Sequence, residues 1–415
     1  MEQSNISKYF FFLFTFSLVF VILFYKVIGF QFTDELCVLV LVLLFLYQIF
    51  STPNWVFNKA FLFTLFLFLF YTCYSIWIGS NTKAGIFNDL IVQMKPYLSF
   101  FCAYQLRPTF TKMQKKILKE VAVLFWLIWL LPIGLVSLVN ERIFEALFEH
   151  PAYYGIAVTI VALCYYFCSE SNKRTRIFFL LLLSIGLFCG KSKFYGFYAM
   201  TCFIVLLFPN IKQFQLNFKN VTLILCMITA IVVVAWPKIN FYFVNALSNN
   251  PDMDKDMIAR LVLYGTFPLV LQDYFPFGSG LASFGTHSSG EYYSPLYEKY
   301  GIDNVWGLSK SYHGFMSDTF YPSLAQFGVI GVILFLLFWM YILKKAFIYL
   351  RKGEDVPSQH FTLVMLIIGF IIIENTTGST FIAQGGAVSM MLLGLILSEM
   401  QYYSNKSCLQ KRQKE

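Results

Sequence analysis

Charge is scarce in this sequence. Asp, Glu, Lys and Arg together make up 13% of its 415 residues, and histidine occurs only four times. With 58% hydrophobic residues and a mean hydropathy of +0.65, so little charge excludes a soluble globular enzyme, a disordered chain and a secreted disulfide scaffold. The nine cysteines contain no CxxC pair, so neither a zinc ribbon nor a redox dithiol is encoded. Cys164 and Cys168, four residues apart, read as small apolar residues on one helix face. HExxH, GxSxG and Walker sequences are absent, as are internal repeats. Gly278-Ser279-Gly280 lacks the strand–turn–helix setting of a dinucleotide fold and reads as a turn. Asp252-Met253-Asp254 has the DxD form of some metal-dependent transferases, but it precedes an apolar stretch and reads as a helix cap. Neither a metal nor a nucleotide cofactor is expected.

Apolar runs are what the sequence has in quantity. About 240 apolar residues, at about 20 per membrane-crossing helix, suffice for about twelve spans. Runs bounded by short polar stretches place them at 9–29, 34–50, 58–79, 85–105, 120–138, 151–168, 177–190, 194–208, 221–237, 322–343, 361–376 and 379–398. The first is too long for a cleavable signal segment and reads as a span. Twelve spans put both termini on one side. With the N-terminus in the cytoplasm, the inside segments collect 20 of the 31 Lys and Arg residues, as the positive-inside rule requires. The formal charge of +9 is then mainly a topology signal, and no nucleic-acid partner is expected. The expected fold is an all-α polytopic membrane protein, a single integral domain over 1–415, N-in and C-in, with about twelve transmembrane helices.

One connection breaks the pattern. Residues 239–321, between spans nine and ten, form an outward loop of about 80 residues, and loops of that length in compact proteins are usually functional. Asp252, Asp254 and Asp256 lead into an apolar stretch, 257–271, that reads as a helix with an acidic N-terminus. It is too short to span, and Gly265 and Pro268 interrupt it, so it is expected to lie amphipathically at the membrane surface. Tyr264, Phe267, Tyr274, Trp306, Tyr312 and Phe315 belong to a dense set of loop aromatics. Such rings anchor at the interface, and they also offer faces on which sugar rings stack.

A few charges do not fit a purely topological role. Lys191 and Lys193 lie in Gly190-Lys191-Ser192-Lys193, a tight outward hairpin between two apolar runs. They either snorkel to lipid phosphates or form a cationic site for an anionic headgroup or diphosphate. Arg260 sits one turn into the loop helix, four residues after Asp256. It either pairs with that aspartate or holds its guanidinium ready to clamp phosphate oxygens. Arg142, in another outward loop, joins it or pairs with Glu141 or Glu145. Before span ten, Ser311-Tyr312-His313-Gly314-Phe315-Met316-Ser317-Asp318 places an imidazole and a carboxylate at the membrane boundary. His313 is a candidate base and Asp318 a base or an orienting group, unless Asp318 simply caps the span. His287 is a lesser rival, and His150 and His360 read as loop residues. Inside the membrane, Asp89, Gln93, Lys95 and Glu374 mark bundle-facing positions.

Three of these elements together resemble the Wzy-type O-antigen polymerases and the related O-antigen ligases. The first is an Arg-led apolar helix running into Pro276-Phe277-Gly278-Ser279-Gly280-Leu281-Ala282-Ser283-Phe284-Gly285. The second is the segment from His313 to Asp318 running into Phe320-Tyr321-Pro322-Ser323-Leu324-Ala325-Gln326-Phe327-Gly328-Val329-Ile330-Gly331. The third is Gly190-Lys191-Ser192-Lys193, where lysine stands in place of the arginine common in relatives. The match covers about 160 residues, 185–345. The resemblance implies a multi-pass protein of the bacterial inner membrane with one large periplasmic loop. It implies glycosyl transfer between undecaprenyl-diphosphate oligosaccharides as donor and acceptor, with surrounding membrane lipids and a chain-length regulator protein as further partners. Arg260, His313 and Asp318 would be catalytic, and Lys191, Lys193, Arg142, Tyr264 and Tyr312 would bind the diphosphate or sugar. A ligase acting on lipid A core, or a lipid-linked oligosaccharide flippase, are the alternative activities; a flippase would be expected to show repeat symmetry.

Overall fold

A computed structural model describes residues 2–207 and 255–412 except 31, 54 and 354, together with Thr222, Thr229 and Trp236. The span expected over 221–237 falls almost wholly outside these residues, as do Asp252 and Asp254. The described part is helical, with no strand among the described residues. Its helices include α1 (Glu2–Phe16), α2 (Thr33–Ser51), α3 (Lys59–Ile78), α4 (Lys83–Leu106), α5 (Lys112–Phe125), α6 (Arg142–Phe148), α7 (Pro151–Cys168), α8 (Lys173–Ser184), α9 (Ser192–Leu207), α10 (Lys255–Asp273), α11 (His287–Glu291), α12 (Phe320–Ser323), α13 (Gly328–Lys352), α14 (Ser358–Glu374) and α15 (Gln384–Arg412).

Local chemistry sets the helix ends. Asn58 caps α3 by accepting from the Ala60 N–H, and Gly79 closes it in the left-handed conformation. Thr111 and Gln114 form a reciprocal capping box at the start of α5. Among the described residues, six stretches can cross a membrane by length and composition: Asn5–Leu23, Thr33–Ser51, Lys59–Ile78, Lys112–Ser137, Pro151–Cys168 and Phe320–Lys352. Large apolar side chains such as Phe50, Phe66, Leu69 and Trp77 stand exposed on the outer helices. That much exposed apolar surface is unstable in water and natural in lipid, so the chain is a membrane-embedded, multi-pass helical protein.

Several expected spans differ in extent. The run 177–190 divides into α8 and a 3-10 turn, Ile185–Cys189, which Gly190 ends at φ +67. The run 379–398 starts its helix five residues late, because Asn375 Oδ1 accepts the Phe381 N–H and holds 376–383 as a loop. His360 is not a loop residue. Helix α14 begins at Ser358, ahead of the apolar run, and carries His360 into the bundle, 3.0 Å from Glu399 Oε2. Lys115 reaches the same oxygen at 2.7 Å.

Helices α15 and α4 cross at the centre of the bundle and make its largest helix–helix interface among the described residues. Gly394 permits the approach: a Cβ there would lie 2.6 Å from the Phe100 carbonyl oxygen. Polar residues of α4 face inward as expected. Asp89 and Lys95 are both buried, and the Lys95 ammonium bridges Asp34 and Glu35, 2.6 Å from Glu35 Oε1.

Candidate functional site

The stretch expected to form a helix over 257–271 is α10, longer by two residues at each end. Ala259, Leu263 and Val270 recur at helical spacing and are fully buried under the loop residues Phe284, Leu296 and Tyr297. Arg260 and Tyr264 follow one residue behind that face and turn toward the bundle mouth. The Arg260 guanidinium donates through Nη2 to Asp318 Oδ2 at 2.7 Å, while its Nε is buried without a partner. Tyr264 donates its hydroxyl to the Thr376 carbonyl at 2.8 Å. Arg260 therefore pairs across the loop with Asp318, and Asp318 orients a guanidinium instead of capping the next span.

The hairpin lysines reach the same mouth from another side. Lys193 Nζ lies 2.6 Å from Glu374 Oε2 and donates to the Thr377 carbonyl at 3.3 Å. Glu374 is the last residue of α14, and its side chain is only 3% exposed. The loop after it is fastened to the Asp318 segment: the Phe320 N–H donates to the Gly378 carbonyl at 3.1 Å, and Ser379 donates to the Ser317 carbonyl.

His150 ties the two cationic groups together. Its Nδ1 accepts from the Ala152 N–H and caps α7. Partial burial, then the charges of Lys191, Lys193 and Arg260, push it from an ordinary 6.5 down to about 4. Three cations from two separate stretches thus share one field, with Asp318 and Glu374 as counter-charges. At neutral pH His150 is uncharged and accepts rather than repels. Because its folded value is depressed, it favours the folded state above 6.5, and this contribution is lost as pH falls from about 6.5 to about 4. His150→Asn, which keeps a capping oxygen, should flatten the melting temperature across that window. An unchanged acid slope would remove His150 from this field.

The two motifs around residues 280 and 325 pack on each other. The N–H groups of Ser279 and Gly280 donate to the Ala325 and Gln326 carbonyls at 3.2 and 3.0 Å, and Ile330 returns a bond to Pro276 at 3.3 Å. Gly278 and Gly328 meet backbone to backbone, both at positive φ. A Cβ on Gly278 would stand 2.2 Å from the Gly328 nitrogen. Buried Asp89 secures the turn from below by accepting the Ala282 N–H at 2.9 Å. Gly278→Ala is expected to cost about 2–5 kcal/mol, from overpacking against backbone and from left-handed strain. Thermal unfolding in detergent measures it.

The remaining candidates lie elsewhere. His313 turns toward α11, with Nε2 3.9 Å from Glu291 Oε2 and its ring against Gly290. Tyr312 packs at a tilt on Trp306, 4.6 Å between ring centroids, and meets Phe315 edge to face. Arg142 stands exposed at the start of α6, and no side-chain hydrogen bond or ion pair ties it to the cationic mouth. His287 is exposed on α11. His150 and the Thr377 carbonyl were not legible as site groups. The only local signal was a histidine immediately ahead of Pro151 at the start of a span. Among proteins of known family or curated function, no family model and no curated sequence matches this chain.

Proposed function

We propose that this protein is a membrane-embedded glycosyltransferase that polymerises undecaprenyl-diphosphate-linked oligosaccharide units into O-antigen or a related surface polysaccharide. The observation that carries this reading is the convergence of Lys191, Lys193 and Arg260 at one mouth of the bundle. In this reading the chain lies in the bacterial inner membrane with about twelve spans, both termini cytoplasmic, and the 239–321 loop on the periplasmic side.

The reaction breaks the bond between the donor's anomeric carbon and its diphosphate oxygen, and the electron pair leaves with the diphosphate. An acceptor hydroxyl forms the new bond and loses its proton. Lys191, Lys193 and Arg260 stabilise the charge developing on the leaving diphosphate. The buried, unpartnered Nε of Arg260 gives that guanidinium a further donor beyond its bond to Asp318. Asp318 holds the guanidinium through one oxygen and takes the acceptor proton with the other. His313, turned toward Glu291, serves the acceptor side of the loop. The chain-length regulator protein is a partner of the assembled system.

Deleting the gene should leave the surface glycan capped at a single repeat unit. Complete loss of transfer to lipid A core would make the protein a ligase instead, and loss of lipid-linked units from the outer leaflet would make it a flippase.

A further inference from the structure

A cavity of about 230 Å³ opens between α3, α4 and α13, with α12 at one end. Its wall is apolar and largely aromatic, including Phe63, Phe68, Tyr97, Phe101 and Phe338. Phe320, Leu324 and Phe327, all buried, close the end nearest Asp318. From there the slot descends along α13 from Gly331 to Tyr341 and along α3 to Ala60. Ten residues of helix rise about 15 Å, which is half the ~30 Å hydrocarbon core and so the depth of one leaflet. Phe63 and Leu337, 52% and 49% exposed, form lips that open sideways toward lipid.

The far end of the slot is cationic. Asn58 donates through Nδ2 to the Tyr341 hydroxyl at 2.9 Å, which brings the start of α3 against α13. Lys59 follows Asn58 and is exposed. Lys345 holds its ammonium 5.7 Å above the Tyr341 ring. Lys345 thus holds an ammonium beside the lining residue Tyr341, and the exposed Lys59 immediately precedes the lining residue Ala60. A slot one leaflet deep, closed at the inner end and cationic at the surface end, matches a glycerophospholipid of the leaflet on that side. It does not match a chain hanging from the Arg260 mouth, because the buried Phe320 and Phe327 rings stand in that path.

We infer that this slot binds one anionic phospholipid, with an acyl chain among the aromatic residues and its phosphate between Lys59 and Lys345. The inference is independent of the proposed glycosyl transfer. The full chain would be placed in nanodiscs containing either phosphatidylglycerol or phosphatidylcholine, each carrying a photoactivatable group on its acyl chain. Crosslinks are expected at Phe63 and Leu337, with phosphatidylglycerol favoured. Lys59→Gln and Lys345→Gln should each reduce that preference about fivefold, the effect of one surface cation on an anionic lipid. Ala60→Trp should block labelling by both lipids, with size-exclusion profile and melting temperature checking that the variant is folded. Three results would overturn the inference: labelling outside the slot, equal labelling by both lipids that ignores the lysine variants, or displacement of the label by a short-chain polyprenyl diphosphate. The last would give the slot to the substrate lipid.

Discussion

Arg260→Ala is expected to lower polymer formation by about 10²- to 10³-fold at unchanged protein level, the usual effect of removing one preorganised donor from a developing anion. Arg260→Lys should recover little of this. A lysine offers one point charge, whereas the guanidinium spends Nη2 on Asp318 and still keeps Nε for an oxygen. Asp318→Asn leaves the guanidinium in place but removes the group that takes the acceptor proton, so it should lose about 10²- to 10⁴-fold, a loss comparable to that of Arg260→Ala. The readout is polysaccharide length on gels from a deletion strain carrying each variant, with membrane protein quantified in parallel. Full-length polymer from Arg260→Ala would end the assignment of Arg260 to the diphosphate. A normal ladder in Arg260→Ala together with a defect in His313→Ala would move the chemistry to the α11 side of the loop.

The second large effect is on stability, and it separates structure from chemistry. Lys193 and Glu374 form a buried pair, with side chains 12% and 3% exposed. Removing one partner from such a pair strands the other charge, which costs about 3–5 kcal/mol. Glu374→Ala should accordingly unfold at a much lower temperature or denaturant concentration in detergent. Replacing both residues by apolar side chains, Lys193→Met with Glu374→Leu, should restore most of that stability, since a buried pair is often no better than packed hydrocarbon. The double variant should nevertheless remain inactive, because the mouth has lost a cation. Recovery of activity along with stability would show that Lys193 serves only the fold.

Much of the architecture was legible in the residues. The long apolar runs and the helix beginning near Asp256 are local features, and each is present close to where its sequence signal lies. The anomaly of Lys191, Lys193 and Arg260, cations remaining among outward apolar segments, was legible as well. Their counter-charges were not. Glu374 lies 181 residues from Lys193, and Asp318 lies 58 from Arg260, so no periodicity relates them. The surroundings of His150 and His360 are hidden for the same reason, and of the two only His360 departs from its expected loop position. Nothing in their neighbours tells that one shares a field with three cations and the other is buried beside Glu399.

By itself the sequence determined that this chain is a multi-pass helical membrane protein, because the hydrophobic effect and backbone hydrogen bonding act on contiguous runs of residues. It also determined that a handful of charges had to be accounted for. Only the tertiary structure decided which of them meet: Arg260 with Asp318, Lys193 with Glu374, and the two glycines Gly278 and Gly328 back to back. The physical reason is that burying a charge in a low-dielectric bundle is tolerable only beside its counter-charge. That requirement is met through space, by side chains the sequence holds far apart.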